Sequence, residues 1–258
     1  MSTGTERTSD HDRAFADRGR AVHAVTVLAG ALAVIFVVGV VLGLAFVGRH
    51  GGGAIQGWDN RVQAWDLHHR LGLVGVSKVV AYIGDAPKLA VVALALTLIL
   101  WWAIRSVRAL VPLVAYVGGE FEVYVVREII RRHRPPTANF PAPGAVPGVH
   151  ETSLSFPSGH SVAVTAILFA LAGTVAFAYR WWWPWAVALV GSLFVIDTRL
   201  VLGVHWFSDV TFGLLLGVAW GVTVAWVAQR VEWADLRAWL PHHTTPAAPR
   251  ARSAGKGD

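Results

Sequence analysis

Six apolar runs constrain this chain more than any other feature: 21–47, 86–104, 109–126, 161–179, 183–202 and 206–228. Roughly 20 helical residues cross the hydrocarbon core of a bilayer, where no water pairs with a free backbone N–H or C=O. The sequence therefore predicts an all-α integral membrane protein, a bundle of six transmembrane helices. Only 15% of its residues are charged and 55% are hydrophobic, where a soluble domain carries about a quarter charged. The first run, Ala21 to Val47, is far longer than the apolar part of a secretory signal, so it is read as an uncleaved span. Glu120 and Glu122 interrupt the third run, and Pro87 and Lys88 open the second.

The polar remainder sets organisation and orientation. Residues 1–20 and 233–258 are expected to be disordered cytoplasmic tails, leaving 21–232 as one membrane domain. A formal charge of +6 is compatible with nucleic acid, but the cations flank apolar spans or sit in the tails. Anionic lipid and phosphate are the expected partners, and nucleic acid is not. The absence of Cys excludes disulfides, thiol catalysis and thiolate metal sites. Lys and Arg concentrate on the cytoplasmic side of membrane proteins. With the N-terminus inside, twelve of the 22 lie on the cytoplasmic side and ten outside. Four of those ten crowd into 127–134 and another is Arg199; setting these five aside for phosphate leaves twelve against five. Both termini are thus expected in the cytoplasm of a plasma membrane, and the Ala-, Gly- and Arg-rich composition fits a bacterial one.

Within the outer loop 51–85, Trp58, Val62 and Trp65 share a helical stripe, with Asp59, Arg61 and Asp66 off it. That pattern predicts an amphipathic helix, either lying in the membrane interface or packed over the bundle. Trp181, Trp182, Trp183 and Trp185 mark an aromatic belt. Gly39/Gly43 and Gly213/Gly217/Gly221 supply small-residue faces for close helix packing, within one chain or between two.

Three motifs carry the chemistry, and in this topology all of them face outside. Arg127 and Arg134 stand about two helical turns apart if the third span runs on to Pro135, placing two guanidinium forks on one face. Pro157-Ser158-Gly159-His160 opens the fourth run: Ser158 is a good N-cap, Gly159 permits close backbone approach, and the first-turn amides form an anion site. Arg199 ends the fifth run, and His205 and Asp209 open the sixth at i, i+4. The carboxylate can therefore hold one ring nitrogen and present the other as a nucleophile.

These residues resemble the phosphatidic acid phosphatase type 2 superfamily, which includes lipid phosphate phosphatases of the undecaprenyl-diphosphatase and phosphatidylglycerophosphatase kind and the vanadium haloperoxidases. The family signature reads Lys-x6-Arg-Pro, then Pro-Ser-Gly-His, then Ser-Arg-x5-His-x3-Asp. Here it is Arg127-x6-Arg134-Pro135, Pro157-Ser158-Gly159-His160 and Thr198-Arg199-x5-His205-x3-Asp209, with Arg127 in place of Lys and Thr198 in place of Ser. The resemblance implies a catalytic core at about 86–228. It implies that His205 attacks phosphorus, Asp209 orients it, and His160 protonates the leaving oxygen and later activates water. It assigns Arg127, Arg134, Ser158, Gly159 and Arg199 to the phosphate. No metal and no cofactor is expected, since phosphoryl transfer needs positioning and charge neutralisation and three guanidiniums supply both.

The activity expected is hydrolysis of a lipid phosphomonoester or diphosphate, whether an isoprenoid diphosphate, phosphatidic acid or phosphatidylglycerol phosphate. Alternatives are a vanadate-dependent haloperoxidase and a non-catalytic lipid-phosphate binder or transporter. Six spans weigh against the first, and the His205–Asp209 pair with His160 weighs against the second. Glu120, Glu122 and Asp197 are functional candidates because ionisable groups inside spans are costly; Glu120 lies one turn-pair before Arg127 on the same face. The Pro- and Gly-rich segment 137–152, ending near His150 and Glu151, is either a lid or a plain connector.

Overall fold

The computed structural model describes residues 4–70 and 72–231. Eight α-helices form among them: α1 (Gly4–Leu42), α2 (Gln56–His68), α3 (Val74–Ile83), α4 (Ala86–Ile104), α5 (Val111–Ile130), α6 (Gly159–Tyr179), α7 (Trp183–Val201) and α8 (Phe207–Ala228). Six stretches are long and apolar enough to cross a membrane: Gly19–Val47, Ala86–Ile104, Val107–Ile130, Gly159–Tyr179, Trp183–Val201 and Phe207–Ala228. No strand occurs among the described residues; one isolated bridge pairs Asn139 with His150.

Local chemistry explains most boundaries. Pro87, Pro112 and Pro184 occupy the first turns of α4, α5 and α7, where a missing N–H costs nothing. Arg105, Arg131 and Arg180 end α4, α5 and α6 in the left-handed conformation, placing a cation at the negative end of each helix dipole. Helix α1 begins at Gly4, so the amino-terminal stretch expected to be disordered is helical from that point. It contains no Pro, and a helix already nucleated by an apolar span propagates cheaply. The carboxy-terminal tail, 233–258, lies outside the described residues.

Helix α6 is the most enclosed span, with 61% of its central window buried, whereas α1 lies at the periphery with 11%. Helix α8 lays its glycine face on α6. A Cβ at Gly217 would stand 2.6 Å from the Val162 carbonyl oxygen, and one at Gly221 would stand 2.5 Å from that of Ala166. Only glycine lets the backbones approach so closely, so this face is used inside the chain. The tryptophan belt divides: Trp181, Trp182 and Trp183 are exposed, while Trp185 packs on Phe169 and Phe177 with ring centroids 5.9 and 5.5 Å away.

The amphipathic helix of the first loop is α2, and its polarity is the reverse of a simple apolar-in arrangement. Trp58 and Trp65 are 59% and 62% exposed, whereas Asp59 and Asp66 are buried. Successive residues are about 100° apart around a helix, so one face offers indoles outward and the next drives carboxylates inward. Burial, reinforced by Asp197 on α7, pushes the Asp66 carboxyl up to about 6, against partial relief from Arg70 and His69. A carboxyl with a raised folded-state value penalises folding once pH exceeds its unfolded value, and the penalty is complete above about pH 6. Asp66→Asn is therefore expected to raise the melting temperature of the detergent-solubilised protein at pH 8, by about 2–4 °C for each kcal/mol recovered, and to leave it unchanged at pH 4. Equal shifts at both pH values would refute the electrostatic origin.

Candidate active site

The three motifs converge at one end of the bundle. The end of α5, the start of α6, the end of α7 and the start of α8 meet there, with the α3–α4 junction closing one side. A cleft of about 100 Å³ there is walled by Gly84, Asp85, Glu120, Arg127, Arg134 and Glu151, with Gly159, His160 and Arg199, and His205, just before α8, stands behind its wall against Arg134.

Helix α5 runs past the apolar limit at 126 but stops at Ile130, so the condition that it run on to Pro135 is not met. Arg131 turns left-handed (φ 53°), and the residue before a proline disfavours the α conformation. Arg127 and Arg134 still meet in the cleft, but one comes from the helix and the other from an irregular segment. Arg127 Nε donates to the Pro157 carbonyl (3.3 Å). A Cβ on Gly159 would lie 3.2 Å from Arg127 Nη2, so the glycine keeps that guanidinium against the start of α6. Ser158 caps α6 as expected, its Oγ accepting from Ser161 N (3.4 Å), and its own N–H donates to the Asp209 carbonyl (3.1 Å). That bond ties the second motif to the third.

The hydrogen bonds around His205 fix its tautomer. Arg134 Nη1 donates to His205 Nε2 at 3.0 Å, which requires a lone pair on Nε2. Nδ1 then carries the proton and faces Asp209 Oδ2 at 3.4 Å. Burial, followed by Arg134, Arg199 and Arg127, holds the His205 imidazole well below its usual value, so the ring is neutral at physiological pH. Asp209 is fully buried and receives a dense set of donors: Arg132 Nη1 on Oδ1 (2.7 Å), and the Ser155 hydroxyl and Trp206 N–H (2.9 Å) on Oδ2.

Arg199 is 1% exposed. One Nη2–H reaches Glu151 Oε1 (3.2 Å), while Nε and Nη1 have no partner among the described residues. Arg134 spans Ser153 (carbonyl and hydroxyl, both 2.8 Å), Val204 O (2.8 Å) and Glu151 Oε2 (3.4 Å). Glu151 thus bridges two of the three arginines, which places the end of segment 137–152 in the cleft wall. Buried guanidinium donors without partners are costly, and an anion with several oxygens satisfies them. His160 lines the same cleft, and its Nε2–H donates to the Ala81 carbonyl at 2.9 Å, leaving Nδ1 as its other nitrogen. Gly84 makes room for that ring: a Cβ there would fall 2.5 Å from His160 Cδ2. Gly84→Ala is expected to lower turnover about tenfold or more by displacing His160, with little change in phosphate affinity; unchanged turnover would show that the ring tolerates the shift.

Of the polar residues inside spans, Glu120 lines the cleft with Arg127. Glu122 is fully buried with neither carboxylate oxygen hydrogen-bonded among the described residues, two residues and about 200° around α5 from Glu120. Asp197 is exposed and is not among the residues lining the cleft; its charge acts on Asp66 of α2. Arg132, counted from sequence only among the cations of 127–134 set aside for phosphate, is 1% exposed and instead joins four acceptors: Asp209 (2.7 Å), Ser208 (2.7 Å), Gln56 (2.8 Å) and Asp59 (2.5 Å). Ser155, Gln56, Asp59 and Ser208 were likewise outside the motif reading. The one available signal was a carboxylate adjoining the tryptophan stripe of α2.

Residues 108–233 match the model of the PAP2 superfamily. An undecaprenyl-diphosphatase from Sulfolobus acidocaldarius is 33% identical over 40% of this chain and 45% of its own length. Phosphatidylglycerophosphatase B of Escherichia coli K12 is 31% identical over 31% of this chain and 32% of its own. The matches thus span less than half the length of these two relatives. The bacitracin transport permease protein BcrC of Bacillus licheniformis is 30% identical over 54% of this chain and 66% of its own. Among solved structures, a transmembrane PAP2-type phosphatidylglycerolphosphate phosphatase from Bacillus subtilis superposes with a TM-score of 0.57 at 22% identity, covering 77% of this chain and 92% of that one; the likeness is one of fold.

Proposed function

This chain belongs to the PAP2 superfamily, and from that premise and the cleft's geometry we propose that it is an integral membrane phosphatase acting on a lipid phosphate or diphosphate through a phosphohistidine, without a metal ion. The observation that carries the reading is the neutral His205, its proton on Nδ1 toward Asp209 and its Nε2 lone pair beside a cleft walled by three guanidiniums.

Phosphate oxygens take the donors of Arg127, Arg134 and Arg199, and Arg134 Nη1 transfers from His205 Nε2 to an oxygen. Nε2 attacks phosphorus, the phosphorus–oxygen bond to the lipid breaks, and His160, entering the cycle as an imidazolium with Nε2–H held by the Ala81 carbonyl, passes its Nδ1 proton to the departing oxygen and becomes neutral. Asp209 stabilises the charge that develops on the ring. Water then attacks phosphorus, His160 accepts its proton, the phosphorus–nitrogen bond breaks, and neutral His205 is restored. The arginines neutralise the equatorial oxygens throughout, the task a divalent ion performs in many phosphoryl-transfer enzymes.

A groove continuous with the cleft supports a lipid substrate. It shares Glu120, Arg127 and Ser153 with the cleft and runs along Val123, Tyr124 and Leu154, with Glu128, Arg131 and Thr152 also in its wall and Tyr124 69% exposed on the outer side of α5. A headgroup in the cleft leaves its tail along α5. The relatives' names point to isoprenoid diphosphates and phosphatidylglycerol phosphate as the first candidates. The balance of Lys and Arg favours an extracytoplasmic cleft in a plasma membrane with both termini inside. Phosphate release from phosphatidic acid, phosphatidylglycerol phosphate and an isoprenoid diphosphate, each with EDTA, tests the reading. Release that survives EDTA supports it; release abolished by EDTA removes the metal-free mechanism, and silence toward all three favours a binder or transporter.

A further inference from the structure

Helix α2 lies outside all three motifs, yet its buried face enters the nucleophile's support. Asp59 Oδ1 accepts from Ser208 N (2.8 Å), and Asp59 Oδ2 accepts from Ser208 Oγ (2.6 Å) and Arg132 Nη2 (2.5 Å). Gln56 Oε1 accepts from the same Nη2 at 2.8 Å. Through its other terminal nitrogen, Arg132 holds Asp209 Oδ1, and its guanidinium also lies over the Trp206 ring, 5.2 Å from the centroid. Asp59 and Asp209 are both fully buried, so one cation is shared between two carboxylates in a site with little water to screen it. The shared fork fixes Asp209 in place, and Asp59 draws part of Arg132's charge away from it.

We propose that Asp59 on helix α2 is a positioning residue for the phosphotransfer reaction, holding Arg132 so that Asp209 remains both aligned with His205 and basic enough to stabilise its imidazolium. The role rests on the phosphatase reading given above. Asp59 does not line the phosphate cleft, so its contribution acts on turnover and leaves phosphate binding alone. The charged groups around the His205–Asp209 pair come from every adjoining element: Arg127 from α5, Arg132 and Arg134 from the segment after it, Glu151 from the loop, His160 from α6, Arg199 from α7 and Asp59 from α2. Of these, Asp59 is the carboxylate that shares Arg132 with Asp209. Without its charge, Arg132 neutralises Asp209 more completely, and protonation of His205 becomes less favourable.

The test compares wild type, Asp59→Asn, Asp59→Glu and Gln56→Ala, each purified whole in detergent, by kcat, KM and pH–rate profile on the best lipid phosphate, and by orthovanadate protection against heat as a probe of the phosphate cleft. The expected result for Asp59→Asn is a kcat about tenfold or more below wild type, the scale of a lost hydrogen bond to a charged group. KM and vanadate protection stay near wild type, and the acidic limb of kcat moves to lower pH. Asp59→Glu restores part of the rate, and Gln56→Ala, which removes a neutral acceptor, lowers kcat less and leaves the limb in place. An Asp59→Asn enzyme with wild-type kcat, or one losing kcat and vanadate protection together with no displacement of the limb, overturns the positioning role and leaves the phosphatase reading standing. A wild type that releases no phosphate overturns that reading, and this role with it.

Discussion

Replacing His205 with Ala is expected to lower phosphate release by about 10⁴-fold or more, the scale seen when an enzyme loses its nucleophile. The substitution removes Nε2, the atom that receives the phosphoryl group, and leaves Arg127, Arg134 and Arg199 in the cleft wall. Orthovanadate should therefore still protect the His205→Ala protein against heat. The two readouts separate chemistry from binding. Loss of turnover with vanadate protection retained fits a nucleophile, whereas loss of both would make His205 a structural residue. A variant that keeps turnover would transfer the nucleophile's role to another group.

Arg132→Ala is expected to be the most destabilising single change in the site, and to abolish turnover as well. It strands Asp59 and Asp209, two fully buried carboxylates, with no cation between them. Breaking one buried ion pair costs about 3–5 kcal/mol because the surviving charge is left unpaired; here one cation serves two partners. Unfolding in detergent measures the loss. Combining Arg132→Met with Asp59→Asn removes the cation and one carboxylate charge together, so the pair should lose clearly less stability than the sum of the single changes. Strict additivity would mean that the short distances in this network carry no energetic coupling. Arg132→Lys keeps the charge but cannot fork to four acceptors, and should fall between wild type and Ala.

The six spans were legible because length and hydropathy in a membrane obey one strong rule, that backbone polar groups must be paired inside the segment. The three motifs were legible because each places a cation, a cap or a His–Asp pair at the edge of an apolar run, and the fold brings those edges together. The course of the chain after α5 was not legible. A helix to Pro135 and a helix ending at Ile130 leave Arg127 and Arg134 at the same sequence spacing, and only the left-handed Arg131 decides between them.

Arg132 was hidden for a different reason. Cations crowded into 127–134 at a membrane edge read as one group for phosphate, and the burial of Arg132 away from it depends on partners about 73–77 positions distant, on α2 and α8. The same holds for α2. Its tryptophan stripe announced an amphipathic helix, but the helix turns its indoles outward and buries Asp59, which has the buried Arg132 to meet. Polar residues that pair across elements leave no periodic trace in one sequence. The glycine face of α8 was visible in the sequence, while its use within the chain became clear only from the approach of Gly217 and Gly221 to α6.

The most direct test of the central claim is to trap the intermediate. The protein would be mixed with a lipid phosphate labelled on its terminal phosphorus, quenched in alkali within one turnover, and digested for mass spectrometry. A phosphoryl group on His205, stable in alkali, lost in acid and absent from the His205→Ala protein, is the predicted result. A labelled phosphate released with no protein-bound phosphoryl group at any time, or a phosphoryl group on a different residue, would contradict it.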